Sequence, residues 1–160
     1  MAASEPDIRT DDLSDPRIAA FLDQHIHDMR VVSPPQSKHA LDLAGLRRPD
    51  IRFWSAWNGA ALVGCVALRR LDAQHGELKS MRTAPQLRRQ GLARSMLVHV
   101  LSQAKASGLR RVSMETGSMA FFAPARALYV AHGFISCAPF GDYRADPNSV
   151  FMTCELTAAP

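Results

Sequence analysis

The stretch Glu77 to Arg94 reads ELKSMRTAPQLRRQGLAR. Its first half is β-prone, Pro85 breaks the strand, and an apolar stripe beginning at Leu92 opens a helix. Lys79, Arg82, Arg88, Arg89 and Arg94 place five positive charges between Lys79 and Arg94 with no acid among them. The whole chain is only +4, so the remainder is slightly acidic and the excess charge is local. A polyanion on the scale of a few phosphates is the expected partner. A helix N-terminus supplies unpaired N–H groups and a partial positive charge. Gly91 and Ala93 leave those groups open to a phosphate, and the neighbouring arginines add charged donors.

Two common phosphate motifs are missing. The chain has no G-x-x-x-x-G-K-[ST], and no G-x-G-x-x-G follows a strand, which argues against a P-loop or a dinucleotide fold. What stands in their place is R-x-x-G-x-A, Arg88 to Ala93, followed downstream by A-x-x-L-Y-x-x-x-G-F, Ala125 to Phe134. The two blocks resemble, in order and separation, those of the GNAT superfamily of N-acetyltransferases. The resemblance covers roughly residues 53–156.

The rest of the chain is consistent with that architecture. Asp15-Pro16 starts a helix whose apolar positions, Ile18, Phe21, Leu22, His25, Ile26 and Met29, carry it to about Arg30. Lys38 to Leu46 reads as a second, short helix. Ile8 and Arg9 suggest a first strand. Ile51–Trp57 and Ala61–Leu71 form a hairpin about Asn58-Gly59, with Gly64 marking a bulge. Glu77–Thr83 is the next strand. Leu92, Met96, Val100 and Ala104 form one helix stripe, closed at Ser107-Gly108. Arg111–Thr116 then returns parallel to the Glu77 strand. A helix over Ala123–His132 and strands at Phe134–Ala138 and Val150–Leu156 finish the chain, with a polar loop across residues 140–149. The expected fold is α/β (α+β): a mixed, mostly antiparallel splayed sheet with helices on both faces, formed by one domain over residues 1–160 with flexible ends at 1–6 and 157–160.

By the resemblance, the sheet splits between Glu77–Thr83 and Arg111–Thr116. The backbone of Met81, Arg82 and Thr83 then pairs with the pantetheine arm of acetyl-CoA, and Arg88, Arg89, Gln90, Gly91, Leu92, Ala93 and Arg94 hold its pyrophosphate. The acceptor is an unidentified amine on a small molecule or an exposed peptide. Tyr129, the tyrosine of the second block, is the implied proton donor to the departing thiolate. Glu77, eleven residues before Arg88, is the first candidate for the base and Glu115 the second. His39 and Asp42 lie where the family covers its acceptor, although a helix-surface role is the favoured reading of both. Many members carry an asparagine just beyond the fifth strand. Here the stretch is Thr116-Gly-Ser-Met-Ala, leaving Ser118 or nothing in its place. A GNAT-fold module that binds acyl-CoA with little transfer is the alternative reading.

Composition bounds the other classes. Aromatic content is 7%, and the basic residues are not interleaved with stacking rings, so nucleic acid is not expected. The polar, acidic start and the lack of a long apolar run suggest neither a secretion signal nor a membrane span. Cys65, Cys137 and Cys154 sit among apolar residues without metal-site spacing, suggesting core thiols in a cytoplasmic protein and no metal. Exposed strand edges and family habit suggest a homodimer.

Overall fold

The computed structural model describes residues 5–32, 42–87 and 91–156. Seven strands form one sheet: β1 (Asp7–Thr10), β2 (Ile51–Asn58), β3 (Ala61–Arg70), β4 (His75–Thr83), β5 (Arg111–Gly117), β6 (Ile135–Ser136) and β7 (Ser149–Glu155). Their order across the sheet is β1-β2-β3-β4-β5-β7-β6. Every pairing is antiparallel except β4 with β5. The helices are α1 (Pro16–Val32), α2 (Leu43–Leu46), α3 (Leu92–Ala106) and α4 (Ala123–Ala131).

Strand alternation gives the sheet two apolar faces. On one, Trp54, Val66, Leu68, Leu78, Val112 and Met114 meet Met96, Leu97, Val100 and Ala104 of α3 and Tyr129 of α4. On the other, Phe53, Trp57, Cys65 and Ala67 meet Ile18 and Leu22 of α1 and Leu46 of α2. Helices therefore cover both faces, as the apolar stripes require.

Several boundaries differ from the sequence reading, each for a local reason. The short helix described as Leu43–Leu46 is capped by an extended Asp42, which accepts the Gly45 N–H at 2.9 Å, and residues 38–41 of the expected helix lie outside the described residues. Asp42 is thus a capping residue. The strand expected from Glu77 begins at His75. Asp72 Oδ1 accepts the N–H groups of Gln74 and His75, both at 2.8 Å, which tightens the turn ahead of it. The strand expected over Phe134–Ala138 keeps only Ile135 and Ser136, because Phe134 N–H still returns to Tyr129 O at the end of α4.

The feature that positions the site is the split between β4 and β5. Their parallel ladder joins His75–Leu78 to Arg111–Met114 and stops there. β4 continues along β3 to Thr83, and β5 continues along β7 to Gly117. A bulge in β4 accompanies the divergence: Ser80 and Met81 lie between the pairs Ala67↔Lys79 and Cys65↔Arg82. Ser80 has φ 53°, a left-handed angle uncommon outside glycine. Its carbonyl accepts the Cys65 thiol at 3.2 Å. Such a bulge turns the strand and raises its twist, so β4 peels away from β5.

Candidate active site

Two chambers open along the split. The larger, about 450 Å³, lies between β4, the start of α3 and α4. Met81, Arg82, Thr83, Gly91, Leu92, Ala93, Arg94 and Tyr129 all line it. Gly91 has φ 83° and precedes α3 as its N-cap. A Cβ there would meet no atom within 4 Å, so what favours glycine is the backbone angle. The first turn of α3 contains no acid. Its first intrahelical donor is Ser95 N–H, 3.0 Å from Gly91 O, so the N–H groups ahead of it are the donors a helix leaves unpaired. This is the geometry of an anion cradle. Arg88, Arg89, Gln90 and His39 lie outside the described residues.

The five-charge segment is not five charges at the cradle. Arg82 is 8% exposed and bonds Asp28 of α1 at 2.7 Å, with its guanidinium 5.4 Å from the Phe21 ring centroid. Lys79 bonds Glu77 at 3.1 Å. Both cations are neutralised inside the protein. The expectation of a polyanion gathered by all five is corrected to Arg94 and the helix N-terminus among the described residues.

The second chamber, about 230 Å³, is reached on the other side of Tyr129. Glu77, Lys79 and Ser80 of β4, Glu115 of β5, Tyr143, and His25, Ile26, Met29 and Arg30 of α1 line it. Glu77 is 1% exposed. Its Oε2 accepts the Tyr143 hydroxyl at 2.5 Å and the Lys79 ammonium at 3.1 Å, while Lys79 also donates to the Tyr143 oxygen at 2.9 Å. Burial, then the Glu77 charge, raises the Tyr143 pKa far above that of a free phenol. Glu115 has a different environment. Burial pushes its carboxyl up to about 7, against the pull of Ser149 and Lys79. It is placed to exchange a proton near neutrality. Burial also pushes the His25 imidazole down to about 4, with Arg82 adding to the effect, so this ring is neutral at pH 7.

Tyr129 belongs to both chambers. It is 5% exposed, and its ring meets Phe134 edge-on at 5.5 Å. Burial raises its pKa, so the phenol stays protonated at neutral pH. Arg126, one turn earlier, ties α4 to the end of β5 by donating to Gly117 O at 2.6 Å and Met119 O at 3.0 Å. Ser118 is occupied by a bond to Pro147 O at 2.8 Å. His75 bonds Ser113 at 2.6 Å within the sheet, and His132 closes α4 on Leu128 O at 2.9 Å; neither reaches a chamber.

Sequence reasoning missed His25, Met29, Arg30 and Tyr143. His25 and Met29 read as members of the apolar stripe that packs the helix, and Arg30 only as its end. Tyr143 had a usable signal: with Phe140 it is an aromatic pair inside a polar loop, and the two rings, 5.1 Å apart, pin that loop to the sheet through Phe151. No group of three metal-ligating side chains occurs among the described residues.

Comparison with known proteins agrees with this geometry. Residues 18–134 match the model of the acetyltransferase (GNAT) family. YsnE of Bacillus subtilis strain 168, described as an uncharacterized N-acetyltransferase, is 52% identical over 93% of this chain and 99% of its own. YedL of Escherichia coli K12, described in the same words, is 50% identical over 93% and 94%. An IAA acetyltransferase of Azospirillum brasilense is 38% identical over 82% and 83%. Among solved structures, an acetyltransferase from Streptococcus agalactiae 2603 superposes with a TM-score of 0.75 at 21% identity, covering 96% of this chain and 100% of that one. A GNAT-family acetyltransferase from Elizabethkingia anophelis, solved with acetyl-CoA bound, superposes with a TM-score of 0.68 at 17% identity, covering 96% and 100%.

Proposed function

The chain belongs to the GNAT family and is an acyltransferase of that family; from this premise we propose that it moves the acetyl group of acetyl-CoA directly to an amine seated in the smaller chamber. The observation that carries the reading is Tyr129, a single side chain that lines both chambers at the split. The larger chamber takes the cofactor, its phosphates against the Gly91–Arg94 turn and its pantetheine arm beside Met81–Thr83. There the arm finds a strand edge that β5 has left.

The chemistry follows from the groups available. An ammonium entering the smaller chamber gives a proton to Glu115. The neutral amine attacks the thioester carbonyl, forming the C–N bond. The oxyanion is stabilised by a backbone donor at the β4 bulge. Collapse breaks the C–S bond, and Tyr129 protonates the leaving thiolate. The second proton of the nitrogen restores Tyr129 and Glu115 releases the first to solvent, so the sum is amide, CoA thiol and one released proton. Glu115 suits the base role better than Glu77. Both donors to Glu77 Oε2 are internal, whereas burial in the chamber leaves Glu115 titrating near 7. We assign Glu77 to holding Lys79 and Tyr143 as one wall. The three cysteines are free thiols, which supports a reducing, cytoplasmic setting.

Calorimetric titration of acetyl-CoA, followed by thiol release with a panel of amines, tests the reading. Micromolar binding and amine-dependent release are expected. A folded protein that binds no acetyl-CoA would overturn it.

A further inference from the structure

The smaller chamber contains one charge that acetyl transfer does not use. Its charged lining residues are Arg30, Glu77, Lys79 and Glu115. Glu77 and Lys79 neutralise each other at 3.1 Å. Glu115 is assigned to the acceptor's amine. Arg30 is left over. It stands in the last turn of α1, exposed, and makes no hydrogen bond, ion pair or ring contact among the described residues. Nor does it line the cofactor chamber, so the phosphates do not account for it.

One uncommitted cation and one uncommitted acid in the same small cavity are complementary to a ligand carrying both charges. The fork of a guanidinium fits a carboxylate by paired hydrogen bonds. The lining also holds the apolar Ile26, Met29, Met81 and Met114, and methionines adapt to differing side chains. The volume, about 230 Å³, is below the roughly 300–1,000 Å³ of pockets for drug-sized ligands. On the reading of this site as an N-acetyltransferase, we propose that the acceptor is a small amino acid with an apolar side chain, its amine at Glu115 and its carboxylate at Arg30.

The test uses the full chain, acetyl-CoA and thiol release, with apolar L-amino acids each paired with its carboxamide. The carboxamide keeps the amine and side chain and loses only the anion. Wild type should prefer the acid by about 10- to 100-fold in kcat/KM, the range of a charge-assisted hydrogen bond. In Arg30→Gln that preference should collapse toward one, through KM rather than kcat, and Arg30→Lys should restore part of it. Equal use of acids and carboxamides by wild type overturns the proposal, as does an Arg30→Gln variant that keeps the preference. Thiol release with neutral amines but with no amino acid also overturns it while sparing the transferase reading. No release with any amine, in a protein that binds acetyl-CoA, overturns both.

Discussion

Replacing Glu115 by glutamine separates its titration from its shape. In the native chain its pKa rises from the usual 4.5 to about 7, chiefly through burial. A raised carboxyl pKa means that the folded protein binds this proton more tightly than the unfolded chain does. The native state is therefore relatively stabilised below pH 4.5, and that contribution is lost as pH rises to about 7. The full difference is about 3 kcal/mol at 1.36 kcal/mol per pH unit. Between about pH 5 and about pH 8 the linkage gives roughly 2.5 kcal/mol. Glutamine has no proton to lose, so the stability of Glu115→Gln minus that of wild type should grow by about that amount over this interval. Urea unfolding at the two pH values measures it, and all other titrating groups cancel in the difference to the extent that they do not couple to Glu115. Lys79, Glu77 and Asp146 do couple to it, which is why the change across pH, and not the value at one pH, is the quantity to compare. Differences that agree within about 0.5 kcal/mol at both pH values would refute the raised pKa, and with it the reason for preferring Glu115 as base. The kinetic counterpart has the same origin. Wild-type kcat/KM should rise with pH through about 7 as Glu115 ionises, and the glutamine variant should lose that limb while keeping the acceptor amine's own inflection.

Three further substitutions address the other parts of the site. Tyr129→Phe should lower kcat by about 100-fold or more, the range of general-acid catalysis, with acetyl-CoA affinity nearly unchanged; stopped-time thiol release and calorimetry read the two, and an unchanged kcat would return Tyr129 to packing. Gly91→Glu should weaken acetyl-CoA binding by more than about tenfold, since it sets a carboxylate where phosphate approaches and forces a side chain onto φ 83°; normal binding in calorimetry would remove the cradle. Asp28→Asn should destabilise the fold by about 2 kcal/mol, because it strips the charge partner from an Arg82 side chain only 6% exposed; an unchanged urea midpoint would mean that solvent already serves Arg82.

Much of this arrangement could be read from residue order, because it rests on local rules. The hairpin expected about Asn58-Gly59 turns on Gly59-Ala60, with Gly59 at φ 62°, the stripe from Leu92 to Ala104 lies flat on the sheet, and Gly91 takes a left-handed angle at the helix entry. The pairing of Glu77 with Lys79 was legible as the alternative to a base role, since residues two apart on a strand share a face, yet the charge sum along the segment still counted Lys79 as available. The fate of Arg82 was not legible. In a regular strand Lys79 and Arg82, three apart, would point to opposite faces. The bulge at Ser80 and Met81 cancels that alternation: Lys79 lies opposite Ala67 and Arg82 opposite Cys65, two β3 residues of the face that packs α1. Arg82 therefore reaches Asp28 on α1, and nothing in the letters KSMR announces a bulge without a glycine.

That same bulge connects the fold to the chemistry. By taking Arg82 to α1 it anchors the helix that carries His25, Met29 and Arg30 over the split, and by bending β4 away from β5 it opens two chambers, both lined by His25 and Met29 and the smaller also by Arg30. A left-handed serine costs on the order of 1 kcal/mol or more, and a straight strand would avoid that cost by continuing the ladder past Leu78. A continued ladder would close the gap beneath Tyr129 and bring Glu115 into register with β4. The strain at Ser80 is therefore best understood as the local cost of keeping the sheet open where the acetyl group must cross it.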